Sequence, residues 1–299
     1  MFEAETLAII FVGLMALATL LYATLDGYDL GVGILLPLND QDKADTMIAS
    51  IGPFWDANET WLVLAIGLLL IAFPTAHSLI LKELYLPASV MLIGLILRGV
   101  AFDFRAKASF SHKPSWDKAF KAGSIIASLM QGYMLGRYVV GFSDEPLSYV
   151  FAVLSAIGVT AAYAFIGANW LVMKTEGSLQ SDAVRWAKKT LFIALIGIVS
   201  VSLMNVWLTP EIFAKWLSTP NLWFVLPIPV ITAALFYLSW FAIRDLEQGR
   251  LKLQNRPFLY TVGIFALTFS GLGFSYFPYI VPSQLTIWQP VAAPESLNF

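Results

Sequence analysis

The chain has no cysteine and only two histidines, His77 and His112. The first absence excludes disulfides and thiolate ligation of a metal or a haem iron, and the second leaves almost no imidazole for general-base or ligand chemistry. Charge is scarce as well: Asp, Glu, Lys and Arg make up 13% of the 299 residues, against about 25% in soluble domains. There is no P-loop, no H-E-x-x-H and no dinucleotide fingerprint. The start, MFEAET, is acidic and has no basic region before its apolar run, so that run reads as a retained span and not as a secretory leader. What the chain does contain is apolar surface: 58% of its residues are hydrophobic and its mean hydropathy is +0.73. These features define an all-α, polytopic integral membrane protein.

A helix needs about 20 apolar residues to cross a hydrocarbon core. Eight segments qualify: 7–36, 60–80, 84–105, 119–141, 148–173, 188–208, 222–243 and 258–281. They divide into two sets of four, 7–141 and 148–281, which suits two four-helix bundles. A faint echo, Phe102-Asp-Phe-Arg105 against Phe241-Ala-Ile-Arg244, lies at the ends of the third and seventh spans. Of the 18 Lys and Arg residues, 14 fall in or beside the odd-numbered connections; Lys82 and Lys215 alone fall in the even ones, and Arg98 and Arg137 lie within spans. Basic loops stay in the cytoplasm, so the N-terminus is expected outside.

Two carboxylates interrupt the first span, Asp26 and Asp29 in LYATLDGYDLGVGILLPL. A charge at the centre of a membrane helix costs about 2.5–3.5 kcal/mol on insertion scales, and an i, i+3 pair shares one helix face. The expected orientation places them in the cytoplasmic half, together with Arg98 of the third span. Asp56, Asn58 and Glu59, in Phe54-Trp-Asp-Ala-Asn-Glu-Thr-Trp61, and Asp103 lie at the same surface. Two readings stand side by side. Arg98 neutralises one aspartate and the cluster fixes packing, or the carboxyls, in excess over their basic partners, form a graded proton-input path. Gly27 and Gly31 form a G-x-x-x-G that permits close helix approach. Trp61 stands out among several interfacial tryptophans because it opens the second span beside Asp56.

Haem ligation needs His, Met, Cys or Tyr. His77 is expected near the outer end of the second span, His112 in a basic loop, and Met130 and Met134 read as core. From its residues alone the chain has no redox or hydrolytic centre. A proton-coupled membrane transporter is the alternative function, although no span pair is broken by Gly or Pro at matched positions.

Three segments carry a resemblance: Asp26-Gly-Tyr-Asp-Leu-Gly-Val-Gly33, Phe54–Trp61, and Arg98-Gly-Val-Ala-Phe-Asp-Phe-Arg105. Together with Gly167-Ala-Asn-Trp-Leu-Val-Met-Lys-Thr-Glu-Gly177 and Phe277-Pro-Tyr-Ile-Val-Pro-Ser283, they resemble subunit II of the cytochrome bd-type ubiquinol oxidases, over about residues 7 to 298. The wording of the first segment is closest to the cyanide-insensitive branch. The resemblance implies a respiratory complex of the bacterial inner membrane that oxidises ubiquinol and reduces O2 to water, taking the protons from the cytoplasm. It implies haem b and haem d, or b-type haems only, in a haem-bearing subunit I, with no catalytic residue or haem in this chain. Other implied partners are a small accessory subunit, lipid and quinone, including a structural quinone held by subunit II in some members, and no nucleic acid. The family's proton route maps onto Asp56, Asp103 and Lys107, its first-helix aspartates onto Asp26 and Asp29, and the tryptophan at its oxygen entry onto Trp61. The family also has a ninth span beyond the Trp288 segment. Ser296-Leu-Asn-Phe299, after the Pro-rich tail, resembles the start of that helix, so the sequence reads as cut short there.

Overall fold

The computed structural model describes residues 4–109, 112–250 and 253–289. With no water in a bilayer core, each spanning segment must satisfy its own N–H and C=O groups, and apolar runs therefore become helices. Among the described residues these are α1 (Ala4–Leu35), α2 (Gln41–Ile51), α3 (Trp55–Ala72), α4 (Pro74–Lys107), α5 (Lys113–Val139), α6 (Pro146–Lys174), α7 (Gly177–Leu208), α8 (Pro210–Leu217), α9 (Asn221–Val225), α10 (Pro227–Glu247) and α11 (Arg256–Tyr276). A small antiparallel pair, β1 (Tyr279–Val281) and β2 (Leu285–Thr286), follows. Proline opens α4, α6, α8 and α10, where its fixed φ and missing N–H cost nothing.

Seven helical stretches are long and apolar enough to cross a membrane. The eighth expected span, α5, is 27 residues long and less apolar, because it carries Ser124, Ser128, Gln131 and Arg137. These polar groups turn towards neighbouring helices, and its buried stripe of Gly123, Ala127, Gly132 and Gly136 lets α4 and α6 approach closely. Some boundaries differ from expectation: α7 begins at Gly177 and not at 188, and the second and third spans divide elsewhere. The second span ends at Ala72 and not near residue 80, where Pro74 takes the first position of α4, the helical position at which a missing N–H costs nothing. His77 and Lys82 thus belong to the first turns of α4. Its 34 residues give a length of about 50 Å, well beyond a ~30 Å hydrocarbon core. The hairpin after α11 was invisible as a span pattern, and residues 290–299, on which the ninth-span expectation rests, lie outside the described residues.

In the first half of the chain α1 packs on α3 and α5, and α4 on α3 and α5. In the second, α6 packs on α7 and α11, and α10 on the same two. Helix α1 is the common element, touching α3, α5, α6 and α11. It approaches α6 so closely that a Cβ on Gly31 would overlap the Tyr163 carbonyl oxygen, and one on Gly167 would meet the Gly31 backbone.

The amphipathic α2 lies across one end of the helices. Asp40 caps it, accepting from the Lys43 backbone N–H at 3.1 Å. Its buried face (Ala44, Met47, Ile48, Ile51) joins the core formed by Leu36, Phe120, Trp170 and Leu179. Ion pairs tie this end together: Arg105 to the buried Asp117, Arg105 to Asp45 at 2.6 Å, Lys113 to Asp45 at 3.0 Å, and Lys43 to Asp182 at 2.6 Å. Burial pushes the Asp45 carboxyl up, but Lys113 and Arg105 outweigh it and hold Asp45 below the usual carboxylate range.

Candidate functional site

Arg98 is the largest fully buried side chain of the chain's described residues. It comes from α4, and three carboxyls surround it. Its Nη1 donates to Asp26 Oδ1 at 2.7 Å and to Glu59 Oε1 at 3.0 Å, and its Nη2 lies 3.9 Å from Asp29 Oδ2. Asp26 and Asp29 are both fully buried, whereas the Glu59 side chain is 30% exposed. Asn58, on the same turn of α3 as Glu59, donates from its side-chain amide to Asp29 Oδ2 at 2.8 Å and to the Tyr28 hydroxyl at 2.9 Å. The Tyr28 ring stacks on Trp170 at 4.1 Å. Trp55 and Phe120 flank the guanidinium, each with its ring centre 5.9 Å away.

The local sequence explains the convergence. The i, i+3 spacing of Asp26 and Asp29 puts both on one face of α1. Asn58 and Glu59 lie near the start of α3, and Arg98 lies nine residues before the end of α4 at Lys107. All five are therefore near the end of the molecule that carries α2. Satisfaction is incomplete: Asp26 Oδ2, Asp29 Oδ1 and two of the Arg98 nitrogens, Nε and Nη2, have no hydrogen-bond partner. Behind Asp26, a second set of polar groups crosses three helices. The Tyr163 hydroxyl (α6) donates to Gln131 Oε1 (α5) at 2.7 Å, and Gln131 Nε2 donates to the Tyr22 hydroxyl (α1) at 2.6 Å.

The other expected residues are not in this cluster. Asp56, Asp103 and Lys107 are exposed on α3 and α4 at the same end, with Asp56 close enough to Glu59 to influence it electrostatically. Trp61 is half-buried on α3; the tryptophan beside Arg98 is Trp55, which packs on Phe102 at 4.8 Å. Sequence reasoning also missed Tyr28, Trp170, Tyr22, Gln131 and Tyr163 as neighbours, since neutral polar and aromatic residues are ordinary in membrane helices. The two imidazoles stand at opposite ends of α4, separated by about 50 Å of helix, so no single iron could take both. Among the described residues, no group of three or more His, Asp or Glu has the geometry to hold a metal.

Comparison with known proteins gives concordant results. Residues 7–299 match the family model described as cytochrome bd terminal oxidase subunit II. Cytochrome bd ubiquinol oxidase subunit 2 of Bacillus subtilis (strain 168) is 27% identical over 292 residues, covering 93% of this chain and 80% of the relative. Cytochrome bd-I ubiquinol oxidase subunit 2 of Escherichia coli (strain K12) is 26% identical, covering 100% of this chain and 89% of the relative. The fold is that of a chain in the solved bd oxidase from Geobacillus thermodenitrificans, with a TM-score of 0.80 at 17% identity, covering 98% of this chain and 91% of that one.

Proposed function

Because the chain belongs to the cytochrome bd terminal oxidase subunit II family, we propose that it serves a bacterial inner-membrane quinol oxidase as its haem-free subunit, and that the cluster around Arg98 is part of the proton-input path. Electrons come from ubiquinol. Haem b and haem d, or b-type haems alone, belong to subunit I and supply the dioxygen chemistry when bound; this chain's widely separated imidazoles do not fit an axial pair.

One observation carries the proton reading: a single arginine faces three carboxyls, and one of them, Glu59, reaches the chain's surface. With all three ionised the cluster would hold two uncompensated negative charges out of water. A carboxylate in that position takes up a proton in preference to standing bare. A cluster that must store protons and has one exposed member can also exchange them. Asp56, Asp103 and Lys107, exposed at the same end, form the entrance; Glu59 receives; Asp29 or Asp26 passes protons on towards subunit I. The excess of Lys and Arg at this end supports its facing the cytoplasm. Trp61, half-buried beyond Glu59, would border an apolar oxygen entry. The helices of 7–141 and 148–281 act as two bundles joined where α6 meets Gly27 and Gly31 of α1 and Gly132 and Gly136 of α5. A small accessory subunit would add to subunit I as a partner.

A structural quinone fits less well. An apolar groove lined by Ile34, Leu129, Ile157, Thr160 and Thr190 has room for a hydrocarbon tail. Its two hydroxyls, however, already bond carbonyls of their own helices, so no donor is left there for a quinone head.

The test begins with purification of the native complex in mild detergent. Haem bands from a larger co-purifying subunit, with quinol-dependent oxygen uptake, are expected; a colourless, solitary chain would overturn the oxidase reading. Asp29→Asn, Glu59→Gln and Asp56→Asn should then each slow oxygen uptake, the first two by about tenfold or more, at unchanged haem content. Unaltered uptake in all three would remove the proton path, and haem loss in step with activity would assign the cluster to assembly.

A further inference from the structure

The two buried aspartates occupy unequal environments. Asp26 Oδ1 takes the direct Arg98 hydrogen bond at 2.7 Å, whereas Asp29 is 3.9 Å from the guanidinium and is held by a neutral amide, that of Asn58. Asp29 Oδ1 meets no donor, so nothing holds that oxygen as an anion. The polar groups behind Asp26 add a direction. Tyr163 gives its proton to Gln131, and Gln131 gives one to the Tyr22 oxygen. Tyr22 is therefore used as an acceptor, and its own O–H remains to be donated. One turn along α1 is a buried acceptor without a partner, Asp26 Oδ2, and the phenol lies close enough to interact with it electrostatically. Tyr22 and Tyr163 are each only 5% exposed, so water does not compete for that proton.

We propose that Tyr22, backed by Gln131 and Tyr163, fixes Asp26 as the permanently ionised partner of Arg98, which leaves Asp29 as the carboxyl of the buried pair that holds the exchangeable proton. A hydrogen bond to the charged form favours that form, and a chain of bonds aligned in one direction strengthens each member. The charged and titratable groups facing the pair are consistent with this division. They are Tyr22 and Tyr28 on α1, Glu59 with Asp56 behind it on α3, Arg98 on α4 and Tyr163 on α6. Helix α5 contributes the neutral Gln131, and α11 contributes Phe258 and Phe265 against the tyrosine rings. Tyr22, Gln131 and Tyr163 are positioning residues here, acting through Asp26. The division of roles deepens the proton-path reading and relies on it for its place in turnover.

Infrared difference spectroscopy of the purified oxidase complex tests it, through the carbonyl stretch of protonated carboxyls. The conservative variants are Asn58→Leu beside Asp29, and Tyr22→Phe beside Asp26. In the native complex and in Glu59→Gln, a resting protonated-carboxyl band is expected. Asn58→Leu should move that band to higher frequency, because its carbonyl loses a donor. Tyr22→Phe should leave it in place and add a second band, as Asp26 loses the group that favours its charged form. Gln131→Met should give a smaller version of the Tyr22→Phe effect. A resting band that ignores Asn58→Leu and moves in Tyr22→Phe would overturn the proposal by exchanging the two roles. Variant spectra identical to the native one would overturn it outright. These readouts need no turnover: full oxygen uptake in Asp29→Asn, Glu59→Gln and Asp56→Asn together would end the proton-path reading and leave the assignment of the proton to Asp29 standing.

Discussion

A buried arginine is expensive, and Arg98 is tolerated because removing either side of its network would cost more than the network itself. Breaking a buried ion pair from one side leaves an uncompensated charge and costs about 3–5 kcal/mol. Arg98→Met leaves Asp26, Asp29 and Glu59 without a cation, so the purified complex should melt markedly earlier or fail to accumulate. Asp26→Asn/Asp29→Asn/Arg98→Met should recover most of that loss, because replacing buried partners by neutral groups is often close to neutral and the remaining carboxyl, Glu59, is 30% exposed. A triple variant as unstable as the single one would show that Arg98 contributes chiefly by packing. Asp26, Asp29 and Arg98 were legible in the sequence because a charge inside an apolar run is rare and costly. Asn58 was placed at the right surface, but Tyr28 and Trp55 were not picked out, since each is unremarkable in its own helix. The hydrogen bond from Asn58 to Tyr28 joins positions 30 residues apart, and that from Gln131 to Tyr22 joins positions 109 apart; such pairings follow from packing, which no single-helix pattern reports.

At the scale of elements, the site depends on how closely α1 can lie against α6. With no hydrophobic drive between helices in lipid, small residues and backbone contact supply the attraction. Glycines on α6 provide a controlled comparison. A Cβ at Gly158 would meet only ordinary contacts, Val201 at 3.7 Å and Gly197 at 3.9 Å, whereas at Gly167 it would press into the Gly31 and Val32 backbone at 2.5–2.6 Å. Gly158→Ala should therefore be neutral or stabilising, by up to about 1 kcal/mol, and Gly167→Ala should lower the yield of assembled complex and its melting temperature. Equal tolerance of both would mean that α1 and α6 separate without consequence. The helices themselves were readable from hydropathy, and the G-x-x-x-G from its spacing. The break at Phe73, however, depended on one proline, and the extent of α4 on polar residues such as Lys82 and Glu83 that continue the helix past the hydrocarbon.

At the scale of the whole molecule, the distribution of charge bears on which compartment the cluster faces. The end with α2 holds Lys43, Arg105, Lys107, Lys113, Lys174, Arg185, Lys188 and Lys189, and it is cross-linked by ion pairs; the end with α8 holds Lys215, which donates to the closing carbonyls of α11 at Phe274 and Phe277, each at 2.6 Å. Glu59, Asp56, Asp103 and Lys107 all lie towards the first end. Because the chain has no native cysteine, sidedness can be read with single substitutions. Thr46→Cys on α2 and Ser181→Cys on α7 are exposed at the α2 end, and Ser218→Cys after α8 is exposed at the other. In right-side-out vesicles a membrane-impermeant maleimide should label Ser218→Cys and spare the other two, and inverted vesicles should reverse the pattern. That result would give the proposed path, from Asp56, Asp103 and Lys107 to Glu59, access to cytoplasmic protons. The opposite labelling would leave the cluster facing the external medium, and its carboxyls would have to be assigned to packing.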